Sequence, residues 1–107
     1  MSARNWTRSI VPGGKVTTSW EADQVHRVEY EVTVRQGPGV SVYVLEQSEL
    51  RHVENGNNFK SFSDATNENV SWVQNAKRLS GGEYGLLVSN NFPSAVQVEI
   101  SCEVETV

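Results

Sequence analysis

The final stretch of the chain alternates strictly. Val96, Val98, Ile100, Cys102 and Val104 are apolar, and Gln97, Glu99, Ser101, Glu103 and Glu105 between them are polar. A period of two predicts a strand with one buried and one wet face. Helical spacing fits badly, because it would place Glu99 and Glu103 on the same stripe as valines. The same rhythm carries Val28, Tyr30, Val32 and Val34 through Glu29, Glu31, Thr33 and Arg35 up to Gly37-Pro38-Gly39. Beyond that break, Val40, Val42 and Val44 interleave with Ser41, Tyr43 and Leu45. Both faces there are largely apolar, so the segment reads as a central strand, and residues 28–45 read as a hairpin.

Further β-rich runs begin at Val70 and Trp72, and at Tyr84, Leu86 and Val88 after Gly81-Gly82. The latter is expected to pair with the last strand through residues 90–94, which include Pro93. Residues 6–10 and 16–20 flank Pro12-Gly13-Gly14 and predict an edge hairpin. One segment breaks the pattern. Residues 48–56 start with Ser48 as a candidate N-cap, carry Glu49 in the first turn and end on Gly56, which predicts a short helix. Residues 55–69 are rich in Asn and Ser and read as a long loop pinned by Phe59 and Phe62. No repeat or linker divides the chain. The sum is one all-β domain over residues 1–107: an antiparallel two-sheet β-sandwich of seven to eight strands with one short helix insert, jelly-roll or immunoglobulin-like in order.

Composition narrows the function classes. With 37% hydrophobic and 21% charged residues, the 107-residue chain can bury one modest core. Nine basic against 13 acidic residues, a net charge of −4, argue against nucleic acid as a partner. Lys77 and Arg78 are expected in a solvated loop. Cys102 is the single cysteine, so no intrachain disulfide forms. No apolar stretch approaches the roughly 18 residues of a membrane span, and Met1 to Asn5 lack a signal-peptide pattern, so the compartment is left open.

Four features occur in succession: Val42-Tyr43-Val44-Leu45, the helix around Leu50, Asn55-Gly56-Asn57-Asn58-Phe59, and the stretch from Leu79 to Asn90 with Gly82, Tyr84, Leu86 and Val88. This succession resembles the bacterial pre-peptidase C-terminal domains and the related GOLD domains, in which a similar L-x-x-G-x-Y-x-L-x-V-x-N stretch precedes the last strand. The resemblance covers residues 25–105. It implies a non-catalytic accessory module, commonly extracytoplasmic, that contacts proteins, ligands or surfaces. Some members carry calcium, but no matching dense acidic cluster is present here, so that role is not carried over.

The candidate chemistry is sparse. His26 and His52 have no Cys or His nearby in sequence, so no zinc site is predicted and solvent-facing or capping roles are expected for both. No Gly-x-Ser-x-Gly elbow exists for a serine nucleophile, and no catalytic residue or cofactor is assigned. Glu21, Asp23, Asp64 and Glu68 do not follow a calcium-loop spacing, and no metal site is assigned. Aromatic rings remain. Trp6 and Tyr43 are candidates for surface recognition, joined by Phe59, Phe62 and Trp72, although core packing is the ordinary fate of Trp20 and Trp72. The expected function is binding of a protein or polysaccharide without chemistry. The alternatives are a self-associating homo-oligomeric module and, last, a small hydrolase or metal-dependent enzyme.

Overall fold

The computed structural model describes residues 2–106. Eight strands are formed among them: β1 (Ser2–Ile10), β2 (Lys15–Ala22), β3 (His26–Gln36), β4 (Val40–Glu46), β5 (Thr66–Val70), β6 (Trp72–Leu79), β7 (Gly82–Ser89) and β8 (Val96–Thr106). They form two four-stranded antiparallel sheets, β1-β8-β3-β6 and β2-β7-β4-β5. This interlocked order is the jelly roll, which settles the choice left open by sequence.

The topology overturns the three expected hairpins. The pairs β1/β2, β3/β4 and β7/β8 each divide between the two sheets, so every one of those connections is an arch. Gly and Pro mark where a chain reverses, but a reversal within one sheet and one across the sandwich use the same turn residues. At the β3–β4 arch, Gly37 has φ of +103° and lies so close to Val96 that a Cβ would come within 2.6 Å of its side chain. The β-rich run at Val70 and Trp72 is likewise two strands. It changes sheet at Ser71, whose carbonyl accepts the N–H of Val34 at 2.8 Å.

The core sits between the sheets. Val28, Tyr30 and Val32 of β3 and Val98 and Ile100 of β8 come from one sheet, and Val42, Val44, Leu86 and Val88 from the other, all buried. Burying each such side chain is worth about 1.5–3 kcal/mol, the driving force of the fold. At one end, the fully buried Asn90 replaces missing backbone partners. Its Nδ2 donates to the carbonyls of Ile10 (3.0 Å) and Ser94 (2.8 Å), and its Oδ1 accepts the N–H of Phe92 (3.0 Å).

Lys77 and Arg78 lie on β6 and not in a loop. Lys77 is in register with Val28 and so faces the core side, where its ammonium pairs with Asp64 at 2.8 Å and lies 4.8 Å from the Phe62 ring centre. Arg8 of β1 is in register with Val98 and faces the same way at the opposite edge of that sheet. Charges turned inward on edge strands discourage further strand pairing.

Candidate functional site

The outer face of the second sheet is the only one that this chain builds upon among the described residues. In β4, Val42 and Val44 point into the core, so Tyr43 and Leu45 point outward and would be wet apolar groups without cover. The segment 47–65 supplies it. A 3-10 turn, Gln47–Glu49, leads into helix α1 (Leu50–Glu54), and Leu50 and Val53 pack on Leu45 and Leu87. Gly85 makes room: a Cβ there would stand 3.2 Å from both Leu50 Cδ1 and the carbonyl oxygen of Thr18.

The helix end follows the expectation for Gly56 and departs from that for Ser48. Gly56 has φ of +72°, its N–H donates to Val53 O at 3.1 Å, and Asn57 N–H donates to His52 O at 2.8 Å. That pair of bonds is a Schellman motif, for which a left-handed glycine is needed. Ser48 does not cap; Glu46 and Glu49 occupy the cap positions without side-chain bonds to the helix. The Glu49 carboxylate instead accepts the backbone N–H of Lys60 at 2.8 Å and closes the base of the insert. The expected loop is also shorter than predicted, ending in a second 3-10 turn, Ser63–Ala65, and strand β5.

The insert's two phenylalanines part ways. Phe62 enters the inter-sheet core beside Tyr84, with ring centres 6.1 Å apart. Phe59 stays outside, edge-on to Tyr43 at 5.2 Å and 87°. Beside this ring pair lies a cavity of about 210 Å³. Tyr43, Phe59, Leu87 and Val53 give its apolar surface, and Lys15, Asn57, Ser89 and Asn91 its polar surface.

The polar groups are fixed from below. Lys15 and Ser89 are cross-strand neighbours, as are Ser89 and Ser41, so the three form one row across β2, β7 and β4. Asn91 Nδ2 donates to the buried Ser41 Oγ at 3.0 Å, and Ser89 Oγ donates to Asn91 Oδ1 at 3.2 Å. Lys15 Nζ donates to the Val53 carbonyl at 3.2 Å, which holds the ammonium over the cavity. No Asp or Glu among the described residues lines it. Lys15, Ser89 and Asn91 were not among the residues singled out by sequence, since a polar side chain at a strand end carries no signal that separates a site from a turn.

The other candidates lie apart from this cavity. Trp6 is half-buried against the core, beside a groove between β1 and β2 that Arg8 and Asn5 also line. Trp72 is 54% exposed on the outer face of the first sheet, with Nε1 donating to Glu31 at 2.9 Å, so core packing is not its fate. His26, expected to face solvent or cap, is fully buried. Its Nε2 accepts the Trp20 indole N–H at 3.0 Å, and since an indole only donates, Nδ1 carries the proton that goes to Gln24 O at 3.0 Å. His52 is exposed on α1. Asp64 is taken up by Lys77, whose hydrogen bond holds its carboxyl below the usual range.

No protein-family model matches the chain, and no curated protein sequence matches it. Solved structures do match in fold. The pre-peptidase C-terminal domain of a Bacillus anthracis collagenase shares 15% identity over 94% of this chain and 88% of that one, with a TM-score of 0.68. Aeromonas hydrophila PliG, a periplasmic inhibitor of g-type lysozyme, shares 11% identity over 96% and 86%, with a TM-score of 0.64. A CBM4 module shares 7% identity over 94% and 70%, with a TM-score of 0.56. The resemblance carried by the Leu79–Asn90 stretch therefore holds at the level of the fold: this chain is a small two-sheet β-sandwich built like the pre-peptidase C-terminal domain.

Proposed function

We propose that this chain is a non-catalytic binding module that takes one unit of a polysaccharide in the cavity beside Tyr43. The observation that carries this reading is the meeting of an aromatic wall with side-chain hydrogen-bonding groups that have no partner among the described residues. Tyr43 and Asn57 both line the cavity, and neither the Tyr43 hydroxyl nor the Asn57 side-chain amide is hydrogen-bonded among the described residues. Sugars offer an apolar ring face and a rim of hydroxyls, which is the complement of such a surface. The volume lies below the roughly 300–1,000 Å³ of sites that enclose a drug-sized ligand, which suits one ring of a longer chain. The fold shared with a CBM4 module supports this reading.

The absence of catalysis is supported by the histidines. Both ring nitrogens of His26 are occupied by Trp20 and Gln24, and neither histidine meets a serine and a carboxylate together among the described residues. Isothermal titration against a panel of soluble polysaccharides tests the proposal. Binding that Tyr43→Ala abolishes supports it; binding untouched by Tyr43→Ala removes this cavity as the site.

A second reading, a protein partner, is favoured by the outer face of the first sheet. Glu29 and Glu103 stand directly opposite each other there, with Glu31, Glu99 and the exposed Trp72 nearby. Arg27 pairs with Glu29 at 2.8 Å and Arg35 with Glu99 at 2.9 Å, so Glu103 is the carboxylate of this facing pair that a basic partner would meet. Because PliG shares the fold, a g-type lysozyme inhibition assay is the first test, and salt-sensitive inhibition lost in Trp72→Ala would support it.

A further inference from the structure

We infer that the unit taken by the cavity is acidic, a hexuronate, and that Lys15 reads its carboxylate; this rests on the polysaccharide reading above. The chain as a whole is acidic at −4, yet this cavity places one cation over its mouth and admits no carboxylate to its lining. A lysine ammonium has three donors, and Lys15 gives one to Val53 O. That bond fixes its position from the insert side, and the pairing of Lys15 with Ser89 fixes it from the sheet side. Two donors and a full charge are left for a ligand. A carboxylate is the group that uses both, through short charge-assisted hydrogen bonds. A neutral hexose would leave the charge unanswered.

The rest of the cavity suits the same ligand. The Tyr43 and Phe59 rings offer the apolar wall against which a pyranose ring packs, and Asn57 and Asn91 offer amides that both donate to and accept from hydroxyls. Asn91 keeps one Nδ2 hydrogen free of Ser41, so it can donate outward without giving up its support.

Titration calorimetry of the full chain tests this with three probes of equal length: a polyuronate oligomer, its methyl ester, and a neutral hexose oligomer. The expected result is at least about tenfold tighter binding of the uronate than of either uncharged probe, a preference lost on raising salt. Lys15→Gln should erase that preference, while Lys15→Arg keeps part of it. The esterified probe leaves the protein untouched, so the test survives if Lys15→Gln loosens the insert. Equal binding of all three probes, abolished by Tyr43→Ala, overturns the acidic ligand and leaves the polysaccharide module standing. No binding of any probe or of the wider glycan panel overturns both.

Discussion

The indole N–H of Trp20 ends on the Nε2 of the fully buried His26, 3.0 Å away and six residues along the chain. The bond turns around the β2–β3 arch, and Tyr84 flanks both rings, at 5.5 Å from His26 and 6.2 Å from Trp20. Trp20→Phe keeps a ring in place but leaves a buried acceptor without a donor. The expected loss is about 1–3 kcal/mol of stability in urea unfolding. A loss within error would show that water or another group serves the imidazole.

Asn90 holds three backbone groups at the opposite end of the sandwich. Asn90→Ala strands the carbonyl of Ile10 and its partners and is expected to cost about 3 kcal/mol. Asn90→Asp should cost more, since a carboxylate would face two carbonyl oxygens. Equal stability of the two variants by chemical denaturation would contradict the geometry.

Gly85 sets the height of the insert above the second sheet. A β-branched side chain there meets Leu50 and the rigid Thr18 carbonyl, so Gly85→Val should cost about 2 kcal/mol and lift helix α1. Faster proteolytic nicking within residues 55–60 would report the lifting. An unchanged nicking rate with full stability would mean that the helix does not depend on this close approach.

Stability should fall at both extremes of pH for named reasons. Burial raises the Tyr30 phenol above its ordinary value near 10, an effect partly offset by the hydrogen bond from Asn75. Below about pH 10 both folded and unfolded states keep the proton and the contribution is complete; above it the unfolded chain ionises first, and stability declines until the folded value is passed. The gap between wild type and Tyr30→Phe should therefore narrow as pH rises above the ordinary phenol value near 10. A constant gap would refute this. The Asp64 carboxyl is lowered by Lys77, so its contribution is present above the unfolded value near 3.8 and is lost as pH falls through the folded one. Being exposed, it should make only a small difference between wild type and Asp64→Asn in acid.

Strand identity was legible where one face is wet. β3 and β8 alternate buried and exposed positions, and their sequences alternate in step. The apolar pattern of β4 also foretold cover on both faces, supplied by the core on one side and α1 on the other. Pairing was not legible, because period two states which way a side chain points and not which sheet holds the strand. The site was half legible. Tyr43 stood out as a ring on the face opposite Val42 and Val44, and Phe59 as an anchor of the loop, whereas Lys15 and Asn91 come within reach of them only through the row that β2, β7 and β4 make together. His26 was misplaced because its partner, Trp20, is reached only across the β2–β3 arch, which spacing along the sequence does not disclose.

The last strand of the domain is also a middle one. β8 lies between β1 and β3, so the first sheet has no continuous hydrogen-bonded layer until residues 96–106 are in place. During synthesis, β1 and β3 must wait with open edges for nearly the whole domain to be made, and the cavity-bearing sheet waits likewise for β7 to join β2 and β4. Assembly thus depends on contacts between distant parts of the chain, which sets a slow search. The arrangement makes β8 the closing step of the fold, and a domain cut short of it leaves two exposed edges open to foreign strands.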